Sequence, residues 1–132
     1  MEITVSQEQG RLPITVFHVS GEINVTSYEA LQAKARDAYE TGMRELVIDL
    51  AKVGYVSSAG IRAITSIFRL LRGTSPFEAP AAMQKGLADG TFKSPHLKLA
   101  AATPNVMEVL KLSGVDMFLD LYPTVQTAVD SY

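Results

Sequence analysis

Alternation dominates the start of the chain: Ile3 and Val5 alternate with Thr4 and Ser6, and beyond Gln9-Gly10-Arg11 a second run carries Ile14, Val16 and Val19 to Gly21. Period-two patterning of this kind predicts strands, and the short turn between them predicts an antiparallel pair. Pro13 stands at the start of the second strand, where a missing amide donor costs least. From Asn24 the period changes. Thr26 and Glu29 have the S/T-x-x-E spacing of a capping box. Leu31, Ala35, Ala38 and Tyr39 then line one side of a helix, which Gly42 is placed to end.

The most informative stretch is Glu45 to Arg72, ELVIDLAKVGYVSSAGIRAITSIFRLLR. Leu46, Val47, Ile48 and Leu50 make a short apolar run broken only by Asp49, the pattern of a strand covered on both faces, here expected over Glu45–Leu50. After a turn, Ile61, Ile64, Ile67, Phe68 and Leu71 recur at helical spacing, with Arg62, Thr65, Arg69 and Arg72 largely on the other side. The predicted helix runs from the Ser57-Ser58 pair to Arg72, and Gly73 ends it.

Between Thr74 and Pro95 the periodicity fails, and Pro76, Pro80, Gly86, Gly90 and Pro95 punctuate an extended loop at 74–95. Its Phe77, Met83, Leu87 and Phe92 are expected to pack back on the domain. A strand follows at Leu97, Leu99 and Ala101. Thr103-Pro104 then opens a helix with Val106, Val109 and Leu110 on its buried side, and Ser113-Gly114 closes it. Met117 to Leu121 is predicted as a short strand, and Tyr122-Pro123-Thr124 opens a last helix with Val125, Ala128 and Val129 inward. Two strands followed by alternating strands and helices imply the α/β class, a mixed β-sheet with helices packed against it.

Composition narrows the picture. At 132 residues, 1–132 is expected to be a single domain able to bury a core without staples. A net charge of −2 leaves no basic excess for nucleic acid. No apolar run approaches membrane-spanning length and the N-terminus lacks a signal pattern, so no membrane insertion and a cytoplasmic location are expected. The absence of cysteine removes thiol catalysis and thiolate metal sites.

Chemistry performed by the chain itself finds little support. His18 fits a strand position and His96 a solvent-facing loop beside Pro95, and the ligands for a zinc site are missing, so neither metal nor cofactor is expected. Val56-Ser57-Ser58-Ala59-Gly60 lacks the first glycine of the G-x-S-x-G elbow. Gly54 and Gly60 are spaced one residue too far apart for a P-loop and are followed by Ile61-Arg62. The reading is therefore not an enzyme. Serines at a helix start cap its free amides. The same position welcomes a phosphoryl group of about −1.5 to −2 charges, which the helix dipole accommodates. Gly60 is expected to keep the surface low for another protein's approach, and Arg62, four residues past Ser58, to pair with a phosphate.

Gly21-Glu22-Ile23-Asn24, Val47-Ile48-Asp49-Leu50 and above all Tyr55-Val56-Ser57-Ser58-Ala59-Gly60-Ile61-Arg62 resemble a STAS domain of the bacterial anti-sigma factor antagonists. The resemblance spans almost the whole chain. It implies a STAS fold and a signal transduction role in transcription regulation by partner switching. In that family a serine at this helix start is phosphorylated by a partner that is both serine kinase and anti-sigma factor. The unphosphorylated antagonist binds this partner, phosphorylation ends the binding, and a serine phosphatase restores it.

By position, the resemblance puts the phosphoacceptor on Ser58 and the partner-binding surface on Asn24, Ser57, Ser58, Ala59, Gly60 and Arg62. Ser57 stands where the family commonly has an acidic residue, and Asn24 where it often has one. The loop at 74–95 is longer than the family's usual link. The alternative is a STAS scaffold or interaction module of a signalling or transport complex that is never phosphorylated, with both serines serving only as caps.

Overall fold

The computed structural model describes residues 1–10, 12–72, 96–117 and 119–132. Arg11 of the predicted turn, Gly73 as helix terminator and the loop at 74–95, with Phe77, Met83, Leu87 and Phe92, lie outside the described residues. Five strands form one sheet in the order β1-β2-β3-β4-β5: Glu2–Gln9, Pro13–Ile23, Leu46–Val56, Leu97–Ala100 and Asp120–Tyr122. β1 runs antiparallel to β2, and the other three pairings are parallel. The sheet is thus mixed, and the predicted hairpin is present with Pro13 at its second strand's first residue.

Four described helices complete the fold: α1 (Tyr28–Glu40), α2 (Ser58–Arg72), α3 (Pro104–Ser113) and α4 (Val125–Asp130). Strand parity assigns them to two layers. Phe17, Val19 and Ile23 of β2, Leu46, Ile48 and Leu50 of β3, and Leu97 and Leu99 of β4 face one side. There they meet Leu31 and Ala35 of α1, Ile64, Ile67, Phe68 and Leu71 of α2, and Val106 and Leu110 of α3. Each of these large side chains contributes about 1.5–3 kcal/mol by burial. The alternate residues Ile14, Val16, Val47 and Ala100 face the other side, where Ala128 and Val129 of α4 cover them.

Lys98 also lies on that second side and is buried. Its Nζ donates to Ser131 Oγ at 2.7 Å and sits 4.2 Å from the centroid of the Tyr132 ring. Tyr132 in turn donates its phenol to the Leu46 carbonyl at 2.6 Å and lies 3.0 Å from the His96 carbonyl. The end of the chain is thereby fastened across β3 and β4. Burial, and next the Glu45 carboxylate, push the Tyr132 phenol far above its usual range, against the opposing effect of its bond to Leu46.

Several expectations are corrected. β3 does not stop at Leu50 but continues to Val56, because β2 offers it a ladder as far as Ile23↔Val56, across register shifts near Ser20 and Glu22. The capping box at Thr26 and Glu29 does not form. Thr26 spends its hydroxyl on Asn24 Oδ1 at 2.7 Å, and Ser27 is the residue before α1. The strand expected over Met117–Leu121 is present but begins later: a single 3-10 turn occupies Val115–Met117, and β5 spans Asp120–Tyr122, where β4 offers partners from Lys98 to Ala100. His96 is not a solvent-facing loop residue, since its side chain is 19% exposed and its Nδ1 lies 3.1 Å from Glu45 Oε1.

Candidate functional site

The site is the place where the ends of β2 and β3 meet the start of α2. Asn24, directly after β2, folds into a tight turn: its Oδ1 accepts from the Thr26 amide at 3.0 Å and from the Thr26 hydroxyl. Its Nδ2 reaches Glu22 Oε2 at 3.3 Å, so an exposed carboxylate stands beside the amide. Ser27 Oγ donates to the Glu22 carbonyl at 2.7 Å and accepts from the Asn24 amide at 3.0 Å, tying the exit of β2 to the start of α1. One backbone bond then joins the two halves of the site, from the Ser57 amide to the Ile23 carbonyl at 2.9 Å.

The two serines have different environments. Ser57 precedes α2, its carbonyl accepts from the Ile61 amide at 2.9 Å, and its Oγ accepts from the Gly60 amide at 3.3 Å. That is the arrangement of an N-cap. Ser58 is the first residue of α2 and is exposed, and its hydroxyl has no hydrogen-bond partner among the described residues. Because Ser57 serves the cap, the Ser58 Oγ remains available to a reagent.

Ala59 is half-buried and Arg62 exposed one turn along, with no carboxylate in ion-pair range among the described residues. Gly60 differs from its expected role. It is buried, and a Cβ there would lie 2.5 Å from the Ile23 carbonyl oxygen and 2.7 Å from Val56 Cγ1. It lets α2 pack closely on β2 and β3, so it shapes the site from beneath and offers no exposed surface there.

Two neighbours of Ser58 lie outside the set of site residues expected from the sequence. Tyr55, 48% exposed, and Leu112, 81% exposed, line with Ser58 and Ile61 a hollow of about 330 Å³. Leu112 had a signal, an apolar residue out of phase with Val106, Val109 and Leu110. Glu22 stands in the motif Gly21-Glu22-Ile23-Asn24, but its approach to Asn24 depends on the turn. A larger hollow, about 730 Å³, lies at the β1-β2 hairpin and the end of α1, and it contains none of the predicted site residues. Among the described residues no group of His, Asp and Glu is gathered in a way that could hold a metal ion. No helix among them is long and apolar enough to cross a membrane.

The STAS domain model matches residues 5–75, more than half of the chain, from within β1 through α2 and including every predicted site residue. The chain is 26% identical over 127 residues to BtrV of Bordetella bronchiseptica, described as a candidate anti-sigma factor antagonist, covering 96% of this chain and 88% of that protein. Among solved structures it resembles an anti-sigma factor antagonist from Mycobacterium paratuberculosis, at 24% identity, TM-score 0.66 and coverage of 97% and 94%. It also resembles the Bacillus cell fate determinant SpoIIAA in its phosphorylated form, at 14% identity, TM-score 0.65 and 98% of each chain. Both structural likenesses speak to the fold, a five-stranded mixed sheet with helices. The chain belongs to the STAS domain family and is similar to anti-sigma factor antagonists.

Proposed function

We propose that this protein is a partner-switching regulator that binds a serine kinase of the anti-sigma type while unphosphorylated and releases it once Ser58 carries a phosphoryl group. The observation that carries this reading is the division of labour between the serines: Ser57 caps α2, and Ser58 presents an exposed, unengaged hydroxyl at its first residue. A phosphoryl group there meets the positive end of a fifteen-residue helix, so the modified protein keeps its fold. The same dianion stands beside the hollow of Tyr55, Ile61 and Leu112, where a partner's apolar group would otherwise be buried. Desolvating it on docking is costly, and that cost is the switch.

Asn24, Ser57, Ala59 and Arg62 form the docking surface around the acceptor, with Glu22 supplying the carboxylate that Asn24 and Ser57 lack. A serine phosphatase resets the switch. The partners being soluble signalling proteins, the protein works in the cytoplasm. The SpoIIAA structure in a phosphorylated form supports the view that this fold tolerates the modification. The deciding experiment is phosphorylation by the cognate kinase with ATP, mapped by mass spectrometry. Phosphate on Ser58, lost in Ser58→Ala, is expected. An unmodified Ser58 with intact kinase binding would instead establish the unphosphorylated scaffold.

A further inference from the structure

Among the described residues, α4 covers only part of the sheet face turned away from α2, and the rest of that face carries a connected set of polar side chains. Ser6 comes from β1, His18 from β2 and Asp49 from β3, so the set exists only when three strands are paired. Register places His18 directly beside Asp49. Asp49 Oδ1 accepts from the Ala51 amide at 3.0 Å, which fixes the carboxylate. Its Oδ2 lies 2.7 Å from His18 Nδ1. The carboxylate therefore holds the imidazole proton on Nδ1 and leaves Nε2 as an acceptor. Nε2 lies 2.9 Å from Ser6 Oγ, within reach for a base acting on a hydroxyl. A hollow of about 340 Å³ adjoins His18 and Asp49 of this set, bordered also by Glu2, Thr4, Ser20 and Lys52.

We propose that Ser6, with His18 as its base and Asp49 holding that base, is a nucleophilic modification site that takes the acyl group of an activated acyl donor such as a thioester. Ser6 Oγ forms a bond to the acyl carbon while its proton passes to His18 Nε2. The bond from that carbon to the leaving thiolate breaks, and His18 returns the proton to the thiolate. The products are an ester on Ser6 and a free thiol, with no oxidant or further reactant required. The reaction is a stoichiometric modification of a regulator, on the face opposite that of α2, and it does not rest on the role of Ser58.

An alkyl fluorophosphonate reports such a serine directly, since the same attack displaces fluoride and leaves a stable Oγ–P bond. The protein is treated with this probe, and in parallel with an acyl thioester, and adducts are located and timed by tandem mass spectrometry. Ser6 is expected to react at least about tenfold faster than the exposed Ser58. Positioned general bases contribute about 10²–10⁴-fold, so His18→Gln is expected to slow Ser6 labelling by about a hundredfold or more. Added imidazole should restore much of the rate to His18→Ala, which a merely structural histidine would not show. Cooperative thermal unfolding of each variant confirms its fold. The proposal is overturned if Ser6 in the unaltered protein reacts no faster than Ser58, a comparison that needs no variant. It is equally overturned if folded His18→Gln labels at the unaltered rate, if His18→Ala ignores imidazole, or if the thioester leaves Ser6 unmodified.

Discussion

The α-carbon of Gly60 rests against the carbonyl oxygen of Ile23, so closely that a methyl group on it would lie 2.5 Å from that oxygen. The obstacle is backbone at the end of β2, held by the bond from the Ser57 amide, and it has little freedom to give way. Gly60→Ala should therefore displace the first turn of α2 and destabilise the protein by about 1–3 kcal/mol, the usual cost of overpacking. Urea unfolding measures the loss. An unchanged midpoint would show that α2 is not seated as described.

The two serines should separate cleanly in stability measurements. Ser57→Ala removes the cap and is expected to cost about 0.5–2 kcal/mol, whereas Ser57→Asp keeps an equivalent acceptor and should hold stability near the starting value. Ser58→Ala removes an exposed hydroxyl with no hydrogen-bond partner among the described residues and should stay within about 0.5 kcal/mol. Denaturant titration of the three variants decides. If Ser58→Ala were the costly change, the assignment of the cap to Ser57 would be wrong.

Charge at residue 58 should act on binding and leave folding almost untouched. Ser58→Asp places an anion at the start of α2, where the dipole favours it, so its unfolding midpoint should equal or exceed that of Ser58→Ala. Affinity for the kinase partner, measured by calorimetry, should fall by more than tenfold, which is about 1.4 kcal/mol. Equal affinity would remove the electrostatic account of release.

Tyr132 makes stability sensitive to alkali. Its phenol is held protonated in the folded protein by burial and the nearby Glu45 carboxylate, while in the unfolded chain it titrates near an ordinary value of about 10. The folded state binds the proton more tightly, so this contribution is complete below about pH 10 and is lost as pH rises above it. Tyr132→Phe should cost about 0.5–1.5 kcal/mol at neutral pH through the lost hydrogen bond to Leu46. It should also flatten the fall in stability above pH 10. A variant whose alkaline unfolding curve matches the parent would show that the group does not titrate with folding.

Much of the fold was legible because periodicity reports burial. The apolar stripe of α2, the hairpin at Pro13, the helix breaks at Gly42 and Gly114 and the inward Ala128 and Val129 all follow from which residues must leave water. The misplaced boundaries share a cause. Ala51, Lys52, Gly54 and Tyr55 are exposed, so nothing in their hydropathy marks a strand, yet β2 pairs with that half of β3. Thr26 has the spacing of a cap, but Asn24 competes for its hydroxyl at closer range.

The local chemistry at the start of α2 was determined by the sequence alone: a strand exit, two serines and an amphipathic helix place hydroxyls at a positive helix end, because helix termini carry unpaired amides wherever they occur. What the tertiary structure decided was the assignment of roles. Which serine caps and which is exposed, that Gly60 lies beneath the surface, and that Ser6, His18 and Asp49 meet across three strands are consequences of long-range pairing. Hydrophobic patterning selects the buried face of each element, but only the register between distant strands sets which polar side chains become neighbours.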